Sequence, residues 1–162
     1  EKVEKNFLDL LEKNQKIIHK ICRIYSNEEG YKDLFQEIVI QLWKSYSSFK
    51  GESKFTTWMY SVSLNTAMSL FRKVKKHETK INIELVQDKI KHDEINDDDE
   101  IKVKKMYQAI HQLNDVDKAL IMMYLDDKDY SEISRILGIT EGNARVKMNR
   151  ARNKLKQLIK NR

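Results

Sequence analysis

The segment YSEISRILGITEGNARVKMNR, residues 130–150, reads as two short helices bent about a single glycine. Ile133, Ile136 and Leu137 give the first helix an apolar face at helical spacing. Ser134 is small where two helices must cross closely, and Gly138 permits a sharp turn closed by Ile139. Thr140 is placed to cap a last helix running from Glu141 to about Lys160. In that helix Ala144, Met148, Ala151, Leu155 and Leu158 recur at spacings of 4, 3, 4 and 3, a stripe that should face inward.

The remaining faces of the last helix carry Asn143, Arg145, Val146, Lys147, Asn149, Arg150 and Arg152. Arginine can read guanine bidentately, asparagine can read adenine, and an exposed valine can meet a thymine methyl. Lysine and the outer arginines suit phosphates, which position a helix without specifying sequence. The pattern fits a helix-turn-helix with its second helix in the major groove. The alternative is a helical hairpin whose basic face is merely solvated.

Outward from this segment, the 162 residues include no proline and only four glycines. Average usage would give roughly 8 prolines and 11 glycines in such a chain. Proline breaks helix interiors and glycine weakens them, so their scarcity points to an all-α protein. It disfavours sandwiches and barrels, whose frequent turns draw on both residues. The single cysteine, Cys22, excludes an internal disulfide and a multi-cysteine zinc site; within Ile21-Cys22-Arg23-Ile24 it reads as a small buried hydrophobe. No signal peptide or membrane span is visible, so direct membrane insertion is not expected and a reducing, cytoplasmic setting is. The chain begins at Glu1 and not at methionine, which leaves room for preceding native residues.

The net charge of +6 is divided into blocks. Residues 1–30 are neutral, 31–76 carry +5, 77–100 carry −6, 101–137 are neutral and 138–162 carry +7. Two basic segments thus flank an acidic one ending in Asn96-Asp97-Asp98-Asp99-Glu100. Helical periodicity is weak there, and the spacing lacks the glycine and terminal glutamate of a calcium loop. The expected architecture is two small helical domains, 1–76 and 101–162, joined by a flexible acidic linker over 77–100, with the helix-turn-helix in the second domain.

Three helices are expected in the first domain, near 4–25, 32–48 and 54–75. Their apolar stripes are Phe7, Leu11, Ile18, Ile21 and Tyr25; Phe35, Ile38, Val39, Leu42, Trp43 and Tyr46; and Phe55, Trp58, Met59, Val62, Thr66 and Leu70. Four are expected in the second, near 102–112, 115–125, 131–137 and 141–160. The loop from Tyr46 to Phe55 interleaves aromatics with Lys50 and Lys54 around Gly51, and Lys54, Thr57, Ser61 and Asn65 follow on one polar stripe. Aromatics beside positive charge and amide donors suit single-stranded nucleic acid or a flipped base. The competing reading is that Trp43, Phe55 and Trp58 are core.

Taken in order, these motifs resemble an extracytoplasmic-function (ECF) sigma factor of bacterial RNA polymerase, over about residues 5–160. Asp33-Leu34-Phe35-Gln36-Glu37 is similar to that family's D-L-V-Q-E motif. Trp43, Phe49-Lys50-Gly51-Glu52, Thr57-Trp58-Met59-Tyr60 and Asn65-Thr66-Ala67 follow at the family's spacing. The resemblance implies that Asp33, Leu34, Gln36 and Glu37 form a surface docking on the β′ clamp helices of core RNA polymerase. It implies that Phe49, Lys50, Gly51 and Lys54, with Thr57, Ser61 and Asn65, hold the single-stranded −10 element. Asn143, Arg145, Val146, Lys147, Asn149, Arg150 and Arg152 fall where the family reads the double-stranded −35 element, in the domain that meets the β flap. The acidic linker falls where the family's tether threads towards the polymerase active site, and an anti-sigma partner is expected. Three positions depart from the family, which often has arginine at Ser61 and Leu64 and aspartate at Ser69.

No cofactor is implied, and His19, His77, His92 and His111 are scattered without a nucleophile elbow, phosphate loop or HExxH motif. The expected function is therefore non-enzymatic: a promoter-recognition subunit. A stand-alone helix-turn-helix regulator and an all-helical interaction module are the other readings.

Overall fold

The computed structural model describes residues 1–78 and 97–161. Among the described residues every regular element is an α-helix. The chain divides into two compact units, Glu1–Ile81 and Asn82–Arg162.

The first unit packs α1 (Lys2–Tyr25), α2 (Tyr31–Tyr46) and α3 (Phe55–Glu78) each against the other two. Its centre is Ile18, Ile21 and Cys22 from α1, Ile38 and Leu42 from α2, and Met59, Tyr60 and Leu64 from α3, all 1% exposed or less. Full burial of an aliphatic side chain of this size contributes about 1.5–3 kcal/mol. α1 stops where Ser26 turns extended and its hydroxyl donates to the Cys22 carbonyl at 2.5 Å. Cys22 is the small buried hydrophobe expected of it, and burial pushes its thiol up to about 12. Leu64, where the family often carries arginine, is a core residue here. The hydroxyl of Ser63 is buried without a hydrogen-bond partner.

A file of rings closes one end of this unit. Phe7 lies 5.1 Å from both Trp43 and Tyr46, and Tyr46 lies 6.1 Å from Trp58. Phe49 meets Phe55 at 5.7 Å and Trp58 at 5.2 Å. Tilted and edge-on pairs like these add about 0.5–1.5 kcal/mol each beyond their buried area. They tie the loop between α2 and α3 to the helices it joins.

The second unit contains α4 (Asp97–His111), α5 (Asp115–Leu125), α6 (Tyr130–Leu137) and α7 (Glu141–Lys160), with α7 packed against the other three. Ala109, Ile110, Leu113, Ala119, Leu120, Ile121, Met123 and Ile133 are buried around Ala144, Met148 and Ala151 of α7. Asn114, Asp129 and Thr140 cap α5, α6 and α7 by accepting from the backbone N–H groups of Asp117, Glu132 and Asn143. α4 starts a turn before its expected start near 102. Carboxylates are favoured at a helix N-terminus by the macrodipole, so Asp98, Asp99 and Glu100 serve as a helix start. The rest of the acidic linker, from 79 to 96, lies outside the described residues. No helix among the described residues is long and apolar enough to cross a membrane.

Candidate nucleic-acid interface

The turn between α6 and α7 is built as its sequence requires. Gly138 sits at φ 66°, ψ 36°, a left-handed conformation that costs a side-chain-bearing residue about 1–2 kcal/mol. Ser134 is more than a spacer: its hydroxyl donates to the Ile139 carbonyl at 2.5 Å, while the Ile139 N–H donates to the Ser134 carbonyl at 3.2 Å. Ile139 is half-buried beneath the turn. The Thr140 hydroxyl accepts from the Asn143 N–H at 3.1 Å, fixing the first turn of α7.

With Ala144, Met148 and Ala151 inward, α7 turns Asn143, Arg145, Val146, Asn149 and Arg150 to solvent. Lys147 and Arg152 are half-buried on the flanks. Val146 is 50% exposed, on the second turn of α7. Arg145 and Arg152 are not loose. The Arg145 guanidinium lies 4.4 Å over the Tyr130 ring and that of Arg152 lies 4.5 Å over Tyr124. Neither tyrosine stood out in the sequence, because no periodicity links residues 15 or 28 positions apart. Lys154, two residues further on, faces the Asp117 carboxylate at 3.8 Å.

In the first unit the loop after α2 is a compact hairpin of backbone. The Ser48 and Phe49 N–H groups donate to the carbonyls of Ser45 and Tyr46, and Gly51 takes φ 74° at the tip. Lys50, Gly51, Glu52 and Lys54 are exposed, while Phe49, Phe55 and Trp58 are half-buried against one another. The rings are thus part of the packing, and each keeps some exposure, while Lys50 and Lys54, their neighbours in sequence, are exposed.

The polar stripe of α3 is only partly a surface. Lys54 and Asn65 are exposed and Ser61 is half-buried, but Thr57 is 8% exposed. Thr57 belongs to the first turn of α3 and is buried, so it does not lie on the solvent side as the stripe required. Leu34 needs a similar correction. It recurs with Ile38 and Leu42 every four residues, and this buried stripe of α2 holds it at 6% exposure. Leu34 supports the motif from within and is no surface contact. Asp33 and Gln36 are exposed, and Glu37 is half-buried, accepting from the Gln41 side chain at 2.9 Å. The same outer line continues through Ile40 and Trp43, 44% and 45% exposed; Trp43 touches Phe7 with one face only and is less a core residue than its spacing suggested.

Comparison with known proteins matches each of the two units to a family region. The family description "Sigma-70 region 2" matches residues 10–77, and "Sigma-70, region 4" matches residues 104–155. The ECF RNA polymerase sigma factor SigW of Bacillus subtilis is 25% identical over 167 residues, covering 95% of this chain and 89% of its own length. The RNA polymerase sigma factor YlaC of the same organism is 28% identical over 147 residues, covering 88% and 85%. Among solved structures, the sigma factor RpoE of Bartonella quintana, in complex with the anti-sigma factor NepR, superposes with a TM-score of 0.78 at 21% identity over 96% of this chain and 98% of its own. CnrH in complex with the cytosolic domain of CnrY gives a TM-score of 0.68 at 16% identity, covering 97% and 89%. These last two are likenesses of fold. With region 2 and region 4 both present in order, the chain belongs to the sigma-70 family, in its extracytoplasmic-function branch, and is a promoter-recognition factor of RNA polymerase.

Proposed function

We propose that the two units divide promoter recognition between them, residues 1–76 holding the −10 element and residues 101–162 the −35 element, with 77–100 as the tether. The observation that carries this reading is the outer face of α7. Arg145, Val146, Asn149 and Arg150 stand exposed on its first three turns, fixed by Gly138 and the Thr140 cap. That is base-reading chemistry on the part of a helix that enters the major groove, with Asn143, Lys147 and Arg152 on its flanks for phosphates.

In the first unit, Lys50 and Lys54 would hold the displaced strand while an unstacked base lies against Phe49 and Trp58, with Ser61 and Asn65 beyond them. Trapping an opened strand converts binding energy into a shift towards melted DNA. Asp33, Gln36 and Glu37 would dock on the β′ clamp helices and the second unit on the β flap. Each module is small, so polymerase supplies the effective concentration that makes the two weak contacts act together. RNA synthesis itself belongs to the polymerase. By analogy with the NepR and CnrY complexes of similar folds, an anti-sigma protein holds this factor inactive in the cytoplasm until released.

Reconstituted transcription with core polymerase and a promoter library tests the reading. Promoter-specific transcripts above core alone are expected, and their absence would overturn it. Arg150→Ala should lower −35-dependent initiation about 5- to 100-fold, the worth of one bidentate base contact, with core binding intact. Asp33→Ala should weaken core binding and leave the sequence preference of the surviving complexes unchanged.

A further inference from the structure

Arg145 is the first arginine on α7, and an arginine on a free surface reads a base only after losing conformational freedom. Its several rotatable bonds must be frozen when it meets a base, and that cost comes out of the contact. Here the freezing is done in advance. The guanidinium carbon lies 4.4 Å over the Tyr130 ring, inside the range where the negative face of an aromatic attracts a cation. Among the described residues no carboxylate forms an ion pair with Arg145, so its donors are not spent within the protein.

The ring is itself held. Tyr130 is the first residue of α6, directly after the Asp129 cap, whose carboxylate accepts from the Glu132 N–H at 2.8 Å. The turn before it is closed by backbone bonds, Asp127 N–H to the Tyr124 carbonyl at 3.1 Å and Lys128 N–H to the Met123 carbonyl at 3.0 Å, and by the Lys128–Glu132 pair at 3.1 Å. Tyr130 is half-buried, and it and Arg145 line one groove with Ile133 and Met148, both core residues. A ring face attracts a cation without forming an ion pair, so the five N–H donors of the guanidinium keep their planar fork for a bidentate contact to guanine O6 and N7.

We infer that Tyr130 is a positioning residue for promoter selectivity: its ring holds the Arg145 guanidinium edge-on to the major groove, so that Arg145 reads one base pair with its rotamer already set. The inference rests on α7 being the −35 reading helix. It extends that reading to a residue on α6 that touches no base.

The test uses the full chain in complex with core polymerase and a set of promoters in which each −35 base pair is varied in turn. Arg145→Ala identifies the base pair that Arg145 reads, as the position where discrimination is lost. Tyr130→Leu keeps apolar bulk and removes the ring; it should lower initiation about 3- to 10-fold at that same base pair and leave discrimination elsewhere unchanged. The double variant should be no worse than Arg145→Ala, and Tyr130→Phe should restore selectivity to within about twofold of the parent. Thermal melts accompany each variant, and Tyr130→Met replaces Tyr130→Leu if the latter unfolds early. A loss spread evenly over all base pairs, or one that adds to Arg145→Ala, overturns the role of Tyr130 while leaving α7 as the reader. If Arg145→Ala changes no base preference and Arg150→Ala also fails, the reading of α7 falls and the inference with it.

Discussion

The two nucleic-acid faces are built on opposite plans. On α7 the readers and the core lie on different sides of one helix: Ala144, Met148 and Ala151 are buried, while Val146 is half exposed and Arg145, Asn149 and Arg150 stand in solvent. In the first unit the same side chains serve both purposes. Phe49 and Trp58, proposed to meet an unstacked base, also pack on each other and on Phe55 at 5.2–5.7 Å. If α7 reads the −35 element as proposed, its sequence preference can therefore be altered one residue at a time without loosening the fold. At the proposed −10 face, a change to a contact ring is also a change to the packing. The difference also explains why Leu34 and Thr57, both placed by a surface motif, sit inside: in the first unit the motif is threaded through the core.

The largest effect that sharpens this contrast is at Leu34. Leu34→Ala should destabilise the first unit by about 3 kcal/mol, the usual cost of removing a buried leucine side chain, and promoter binding should fall only as far as folding does. Gln36→Ala, two positions on and exposed, should leave stability within about 0.5 kcal/mol. Trp58→Ala comes next. Half-buried and touching three other rings, Trp58 should account for about 2–3 kcal/mol, read in calorimetry as a fall of roughly 10–20 °C in the melting of the first unit. Asn149→Ala on the opposite face should not move its unit's melting detectably. A stable Trp58→Ala protein with lost −10 opening would break the contrast, because it would show that the rings can be separated from the packing.

What the sequence made legible follows the same division. The helices among the described residues, the Gly138 turn and the inward stripe of α7, buried at Ala144, Met148 and Ala151 and half-buried at Leu155 and Leu158, are all local: a periodicity of 3.6 and one glycine carry them. The helix-facing consequences of that period, Arg145 to Arg150 outward, came with them. Three things were not legible. The start of α4 at Asp97 was hidden because the acids that suit a helix N-terminus also give a linker its composition. The burial of Thr57 is a tertiary quantity, which spacing along α3 does not describe. The stacking of Tyr130 on Arg145 depends on the angle between α6 and α7, a tertiary quantity with no counterpart in either helix's own pattern.

The smallest expected effects test whether the reading face of α7 is held by backbone geometry or by packing. An added Cβ at Gly138 meets nothing within 4 Å, so Gly138→Ala introduces no clash. Its whole cost is the left-handed backbone at φ 66°, about 1–2 kcal/mol. Gly142, in the first turn of α7, also meets nothing within 4 Å but has an ordinary helical backbone. There the same substitution removes conformational freedom from the unfolded chain and should stabilise the second unit by about 0.5–1 kcal/mol. Chemical denaturation of the two variants should thus give midpoints on either side of the parent. If both variants lose stability, space near the turn matters more than backbone angle, and α7 would be held by contacts that its surroundings do not reveal. Opposite signs would mean that one left-handed residue sets the direction in which the reading helix leaves the turn.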